Sequence, residues 1–215
     1  METSHTTAGT VGENGRDYAG KIAAPLRHCD CMLQNKKLLT HVSTILPVTL
    51  SEINQLTPHQ FATAFGAVYE HSPWVAQRAF AMKPFGSSAA LHAALVASVQ
   101  SASNAEKIAL LNAHPELAGK EAAAGTLTAA STVEQASAGL SAMTAALIDE
   151  LRDLNALYRE RFGFPFIIAV RNNTQEAIFG TLNARLHNSA AMELNNALMN
   201  VGEIARLRLR DLVQE

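Results

Sequence analysis

The sequence predicts an all-α fold in a single compact multi-helix domain, and three observations lead to this prediction. After Leu50 the apolar residues recur at helical spacing almost throughout the chain. Helix start signals recur at intervals that suit helices of two to five turns. With 215 residues and 48% hydrophobic content, the chain is long enough to bury one good core. The folded domain is therefore predicted over residues 46–215.

Residues 1–45 are predicted to form a flexible N-terminal extension. They carry Thr, Gly and Asn and show no sustained apolar period. Met32 stands just before the apolar periodicity begins, so an over-long start is the alternative to a real tail. Cys29 and Cys31 are separated by one residue rather than by the two of zinc hairpins, and we interpret them as free thiols. A metal site that also uses His28 is the less favoured alternative.

The first helices of the domain are each preceded by a polar cap residue. Thr57 is followed by a proline at the first helical position and by a glutamine that closes a capping box. Ser72 repeats this pattern with a proline after it, and Ser87 or Ser88 opens the next helix. These signals predict three helices before residue 101.

The second half of the domain carries the same kinds of helix start and stop signals. Ser131 is predicted to open a helix after a glycine loop. A longer helix passes through Met143 and stops at Gly163, because glycine adopts the left-handed terminus readily. Thr174 and Ser189 are predicted to start the last two helices.

The segment Phe164–Val170 interrupts the helical pattern. It is bulky, β-branched and broken by a proline, it is too short for a helix, and no partner strand is evident elsewhere. Buried backbone N–H and C=O groups of such an extended stretch must find partners. A ligand and the surrounding side chains are both open as those partners.

His114 is the candidate for proton chemistry. A capping box of Ser103 and Glu106 opens the preceding helix, and Pro115 forces that helix to end. His114 is thus predicted at the last turn or just beyond it, where the negative end of the helix dipole favours the imidazolium. A rigidly held imidazolium is a proton donor near neutral pH. The alternative is that His114 merely caps the last carbonyl groups of the helix.

Two sets of polar residues, one near residue 131 and one near the C-terminus, suggest a ligand site. Glu134 is predicted to fold back on the cap of its helix, while Gln135 could join Ser131 in facing a polar ligand. Near the C-terminus three arginines alternate with leucine and aspartate, so at least one of them is predicted to point inward. An inward arginine needs a carboxylate, carbonyl groups or an anionic ligand. The three are Arg206, Arg208 and Arg210.

Charge and composition exclude several function classes. The 17 basic and 19 acidic residues are interspersed and leave a formal charge of -2, so no basic face indicates a nucleic-acid partner. No apolar run approaches the roughly 20 residues that cross a membrane, and no leader sequence is evident, so a cytoplasmic location is expected. A phosphate-binding glycine loop, a nucleophile elbow and a cysteine nucleophile are all missing from the sequence.

Several motifs in one order resemble a known family. From about Leu50 to Val213 the chain is similar to the 2-oxo-4-hydroxy-4-carboxy-5-ureidoimidazoline (OHCU) decarboxylases, which complete the route from urate to allantoin. The motifs that carry this resemblance are His114–Gly119, Gly125–Thr128 with Ser131, Glu134 and Gln135, Leu154 and Asn155 with Tyr158, Arg161–Phe166, and Leu207–Leu209. Glu116 stands where members often carry aspartate, which keeps the charge.

The resemblance implies an all-helical, cofactor-free and metal-free decarboxylase that forms a homodimer and acts on a small anionic imidazolone. It implies His114 as the general acid, with Glu134 orienting the substrate or the imidazolium, and Arg208 taking an anionic oxygen or supporting the catalytic pair. The implied substrate-binding residues are Pro115, Ser131, Glu134 and Gln135, together with the backbone of Phe166, Ile167, Ile168, Ala169 and Val170.

Two other classes of function compete with this interpretation. A catalytically inactive helical module that kept the pocket would bind an imidazolone, a purine breakdown product or a partner protein. The presence of all expected site residues argues against it. A helical nucleic-acid regulator is disfavoured by the charge balance, and it would show salt-sensitive DNA binding.

Overall fold

The computed structural model describes residues 47–214. Over these residues the prediction of an all-α fold is confirmed, since helices connected by short loops account for most of the chain. The predicted extension at 1–45, with its cysteines and Met32, lies outside the described residues. The predicted domain boundary at residue 46 therefore stays a prediction.

The helices follow one another closely along the chain. Their bounds are α1 Leu50–Gln55, α2 Pro58–Phe65, α3 Trp74–Ala79, α4 Ser88–Gln100, α5 Asn104–Asn112, α6 Lys120–Ala124, α7 Ala129–Ser137, α8 Ala145–Phe162, α9 Gln175–Arg185 and α10 Ala190–Leu212. Short 3-10 turns lie at Phe80–Met82, Leu140–Ala142 and Val170–Asn172. The two-residue strands β1 (Val48–Thr49) and β2 (Val213–Gln214) pair in parallel, with Val48 opposite Val213, and so join the two ends of the described domain.

Most of the predicted helix starts are confirmed by side-chain caps. The hydroxyl oxygens of Thr57, Ser87, Ser103, Thr174 and Ser189 each accept a hydrogen bond from the backbone N–H three residues later. The prediction for Ser72 is wrong in one respect. Helix α3 begins at Trp74 without a side-chain cap, and only the carbonyl group of Ser72 accepts a bond, from the N–H of Val75.

The predicted start at Ser131 is also wrong. Helix α7 begins at Ala129, because Thr128 is the residue whose hydroxyl accepts from the backbone N–H of Ser131. Glu134 is consequently too far from the cap to fold back on it. The earlier start places Ser131, Glu134 and Gln135 at positions i, i+3 and i+4 of one helix, where side chains share a face.

The long helix α10 lines the centre of the core. It packs against α4 and α5, and its buried face includes Ala197, Val201, Ala205 and Arg208. An aromatic cluster fills the space beside α2, where the rings of Phe61 and Phe65 lie 4.8 Å apart. No helix in the described part of the chain is both long and apolar enough to cross a membrane.

Candidate active site

One pocket gathers every residue that the sequence predicted for the site. The pocket is partly open to solvent. The end of α5, the buried face of α7, the extended segment after α8 and the last turns of α10 form its walls. The lining residues are His114, Pro115, Leu117, Ser131, Glu134, Gln135, Phe166, Ile167, Ile168, Ala169, Val170, Arg171, Ile204, Leu207 and Arg208.

His114 lies two residues beyond the end of α5, after the cap residue Ala113, and is only 7% exposed. Its Nδ1 lies 2.9 Å from the carbonyl oxygen of Leu110. A carbonyl oxygen can only accept, so Nδ1 carries the hydrogen and donates it. This bond caps the helix, as the alternative interpretation proposed, and it also fixes the orientation of the ring. Nε2 is left as the nitrogen that can exchange a proton with a ligand.

The expectation that the helix dipole keeps His114 protonated is wrong. Burial removes the hydration of the imidazolium and lowers the pKa of His114 to about 4, from an ordinary value of 6.5. The bond to Leu110 and the negative charge of Glu70 oppose this shift without cancelling it, whereas the charge of Arg208 adds to it. The sequence pattern showed the local dipole but not the burial by distant elements.

Arg208 is the arginine that points inward, as predicted for one of the three, whereas Arg206 and Arg210 are exposed. Its guanidinium forms a two-pronged ion pair with Glu134: Nε donates to Oε1 at 2.8 Å and Nη2 donates to Oε2 at 2.7 Å. Nη1 donates to the carbonyl oxygen of Val68 at 3.2 Å. The donors of Arg208 are thus committed to protein acceptors.

Glu70 belongs to the same cluster, although no motif or periodic pattern in the sequence singles it out. It is 1% exposed, and its Oε1 accepts from Arg208 Nη2 at 2.7 Å, from Thr128 Oγ1 at 3.0 Å and from the hydroxyl of Ser131. Burial would raise the pKa of Glu70, but the bond from Ser131 and the charge of Arg208 hold it below its usual value. It was missed because it lies between α2 and α3, outside any periodic pattern. The only available signal was that an inward arginine needs carboxylates.

Gln135 faces the pocket but is partly engaged by the loop that follows His114. Its Oε1 accepts from the backbone N–H of Ala118 at 3.1 Å, and its Nε2 donates to the carbonyl oxygen of Glu116 at 3.5 Å. Ala118 has a φ of 49°, in the left-handed region that alanine rarely adopts. Gln135 therefore helps to hold a strained loop at the edge of the pocket.

The extended segment finds its partners partly in side chains. The carbonyl oxygen of Ile167 accepts from Arg185 Nη1 at 2.8 Å, and the N–H of Ala169 donates to Asn200 Oδ1 at 3.2 Å. Within residues 47–214, the backbone N–H and C=O of Ile168 have no hydrogen-bond partner, although Ile168 is buried and lines the pocket. Side chains therefore satisfy part of the segment, and a ligand stays a prediction for the peptide groups of Ile168.

A second buried cluster lies behind this segment. Arg185 donates from Nε to Glu193 Oε1 at 2.6 Å, and the hydroxyl of Tyr158 donates to the same oxygen. The guanidinium of Arg185 also lies 4.7 Å from the centre of the Phe166 ring. These contacts hold one wall of the pocket in place. Among the described residues there is no group of three His, Cys, Asp or Glu side chains placed to hold a metal ion.

Comparison with known proteins identifies relatives over most of the described chain. A family model described as OHCU decarboxylase matches residues 54–210. The 2-oxo-4-hydroxy-4-carboxy-5-ureidoimidazoline decarboxylase of Haloferax volcanii is 41% identical over 164 residues, which cover 76% of this chain and 95% of that protein. The protein of the same name from Amia calva is 38% identical and covers 77% of this chain and 94% of its own length.

Solved structures agree with the sequence comparison. A crystal structure of (S)-allantoin synthase superposes with a TM-score of 0.62 at 30% identity, covering 78% of this chain and 54% of that one. A crystal structure of OHCU decarboxylase in the presence of (S)-allantoin gives a TM-score of 0.56 over 69% of this chain and 96% of that one. At 23% identity, this second structure supports the fold alone.

Proposed function

The chain belongs to the OHCU decarboxylase family, and we propose that it converts 2-oxo-4-hydroxy-4-carboxy-5-ureidoimidazoline to (S)-allantoin and CO2, with His114 as the general acid. The proposal is carried by one observation: His114 and the Glu134–Arg208 ion pair line one small pocket with Ile168, whose peptide groups have no hydrogen-bond partner among the described residues. A proton donor, a fixed charge pair and backbone polar groups are what a planar, polar ring ligand with a carboxylate requires.

The reaction needs no metal or organic cofactor on chemical grounds. Cleavage of the bond between C4 and the carboxylate carbon releases CO2 and leaves an electron pair on C4. The adjacent C5=N bond accepts this pair, so the ring itself delocalises the charge. The C4 hydroxyl then becomes the carbonyl group of allantoin as its proton leaves, and protons are added to C5 and to the ring nitrogen. In balance, one proton is taken from solvent for each CO2 released.

His114 is assigned the delivery of the C5 proton through Nε2. Burial lowers the pKa of the imidazole to about 4, and an anionic substrate carboxylate placed beside it raises that pKa and draws a proton to Nε2. Because the bond to Leu110 fixes the ring, the proton reaches one face of C5, and a single enantiomer results. A positioned acid of this kind typically contributes roughly 100- to 10,000-fold to the rate.

Of the two roles that the resemblance implies for Arg208, binding an anionic oxygen or supporting the catalytic pair, the supporting role is assigned. Its donors are already committed to Glu134, Glu70 and backbone carbonyl groups, so none is left for an anionic oxygen of the substrate. It holds the carboxylate of Glu134 in one orientation, and Glu134 in turn orients the substrate. Ser131, Gln135, Pro115 and the backbone of 166–170 bind the ring and the ureido group.

Circular dichroism of the product tests this assignment. Substrate is generated from urate by the two preceding enzymes and mixed with the wild-type protein, with His114→Ala, or with the control His59→Ala, whose side chain is exposed at the start of α2. We expect rapid appearance of (S)-allantoin with the wild type and the control, and its loss with His114→Ala. Stereoselective turnover by a folded His114→Ala variant would overturn the role of His114.

The same experiment tests the competing interpretation, in which the protein is an inactive binding module. If the wild-type trace matched the slow, non-stereoselective background, the decarboxylase proposal would fail. The chain would then be a ligand-binding protein that kept the pocket.

We also propose that the protein is a cytoplasmic homodimer, as the resemblance and composition imply. Analytical ultracentrifugation measures the oligomeric state directly, and a single monomeric species would contradict the dimer.

A further inference from the structure

Glu70 is a buried carboxylate that the proposed mechanism does not use. Three donors converge on its Oε1: the guanidinium of Arg208, the hydroxyl of Thr128 and the hydroxyl of Ser131. It is absent from the set of side chains that line the pocket, so it acts on a ligand only through other residues. Two partners of Glu70, Arg208 and Ser131, contact both the carboxylate and the pocket. The donors of Arg208 are already committed to protein acceptors, so Ser131 is the partner through which Glu70 can act on a ligand.

Charge balance alone does not account for Glu70. Glu134 already forms a two-pronged ion pair with Arg208 and neutralises its charge. A second carboxylate brings an extra negative charge into a buried site, where desolvation is costly. Neutralisation of the arginine therefore does not by itself explain the second carboxylate.

The Ser131 hydroxyl has one proton and two acceptor lone pairs. The proton is donated to Glu70, while Arg208 Nη2, whose two hydrogens are donated to Glu70 and Glu134, lies 3.3 Å from the hydroxyl oxygen. The hydroxyl therefore has only lone pairs left to meet a ligand. Without the carboxylate, the hydroxyl could rotate and offer its proton instead.

We propose that Glu70 is a positioning and specificity-determining residue, which binds the proton of Ser131 so that Ser131 presents only an acceptor to the pocket. The ligand group that this arrangement selects is an N–H donor, of the kind found in ureido groups and cyclic amides. It disfavours a carbonyl or carboxylate oxygen at the same place. The inference rests on the proposed function, since it assigns Ser131 to an N–H group of the substrate.

Two substitutions at position 70 separate hydrogen bonding from charge. Glu70→Gln removes the charge but keeps an oxygen that accepts from Ser131, whereas Glu70→Met keeps the length of the side chain and removes the acceptor. Loss of a hydrogen bond between Ser131 and the substrate raises KM by roughly three- to tenfold. We expect this rise for Glu70→Met with a smaller effect on kcat, and a KM within about twofold of wild type for Glu70→Gln. Equal losses in both variants would show that Glu70 acts through charge and would overturn the proposal.

A double-mutant cycle tests whether the effect passes through Ser131. Ser131→Ala should raise KM by a similar factor, and Glu70→Met should add less than about twofold in that background. Additive effects would contradict the proposal. Glu106→Met is the matched control, because Glu106 also accepts from a serine hydroxyl and an arginine, Ser103 and Arg78, but at the surface. Its KM should equal that of the wild type.

Binding of (S)-allantoin, measured by isothermal titration calorimetry, decides the question if Glu70→Met does not fold. Ser131→Ala leaves Glu70 in contact with Thr128 and Arg208, and its affinity should fall by roughly three- to tenfold. Ser98→Ala is its control, since Ser98 is buried and donates only within its own helix. Unchanged affinity in Ser131→Ala would overturn the proposal. A wild-type protein that binds (S)-allantoin without turnover would instead refute the proposed function alone.

Discussion

Arg208 and Glu134 are joined by two nearly parallel hydrogen bonds of 2.8 and 2.7 Å across 74 residues of sequence. This geometry fixes both side chains, because a guanidinium and a carboxylate match as planar groups. Both residues are largely buried, at 6% and 8% exposure, so neither charge can be satisfied by water if its partner is removed. The ion pair is therefore a constraint on the fold as well as a part of the site.

Replacement of Arg208 by methionine should destabilise the protein strongly. The carboxylates of Glu134 and Glu70 would be left buried without their cation, and breaking a buried pair in this way costs about 3–5 kcal/mol. Urea unfolding monitored by far-UV circular dichroism measures the loss. Arg206→Met is the control, because Arg206 lies on the same helix but is exposed. The prediction would be refuted if both variants unfolded at the same urea concentration.

The stability of the wild type should fall as the pH decreases from 6.5 toward 4. The pKa of His114 is about 4 in the folded protein and 6.5 ordinarily, so the unfolded chain takes up the proton first as the pH falls. The contribution of His114 is thus complete above pH 6.5 and is lost between the two values, with a slope of up to about 1.4 kcal/mol per pH unit.

Urea unfolding at a series of pH values between 4.5 and 7 measures this dependence. His114→Asn should remove most of it, because the asparagine amide can still donate to Leu110 but does not titrate. The exposed His59→Asn serves as the control and should keep the wild-type slope. An equal slope in His114→Asn would show that other groups cause the dependence.

Two glycines should respond to alanine in opposite directions. Gly163 ends α8 with a φ of 79°, and a Cβ there would meet nothing within 4 Å. Alanine at this position should therefore cost about 1 kcal/mol through backbone strain alone. Gly180 lies inside α9, where a Cβ also has open space, and alanine should stabilise the helix by up to about 1 kcal/mol. Thermal unfolding distinguishes the two, and a stabilising Gly163→Ala would contradict the prediction.

The helical fold could be predicted from the sequence because its signals are local. Caps such as Thr57 and Ser189, and a terminator such as Gly163, act within one turn of their own helix. The error at Ser131 had a local cause too, since Thr128 offered a second cap three residues earlier and the two alanines between them extend the helix. The choice between such neighbouring caps depends on which start buries the better face.

The parts of the site that could not be predicted depend on contacts between distant segments. Glu70 lies in a loop without periodicity, and its partner Arg208 is 138 residues away. The protonation of His114 is determined by burial under other elements, which no local pattern reports. The peptide groups of Ile168, which have no hydrogen-bond partner within residues 47–214, could be predicted only as one of two alternatives, because side chains from α9 and α10 satisfy the neighbouring groups.

Asn200 should control the pocket wall that contains Ile168. Its Oδ1 accepts from the N–H of Ala169, while its Nδ2 donates to the carbonyl group four residues earlier in α10. Asn200→Leu leaves that N–H without its acceptor and frees the segment to shift, so KM should rise by roughly three- to tenfold. Asn183→Leu is the matched control, because Asn183 also donates to the carbonyl group four residues earlier but is exposed and makes no contact with the segment. Steady-state kinetics of the two variants measure this effect. An equal rise in KM in both would show that leucine disturbs the helices in general. A rise in Asn200→Leu alone would establish that a side chain of α10 positions the backbone that binds the substrate.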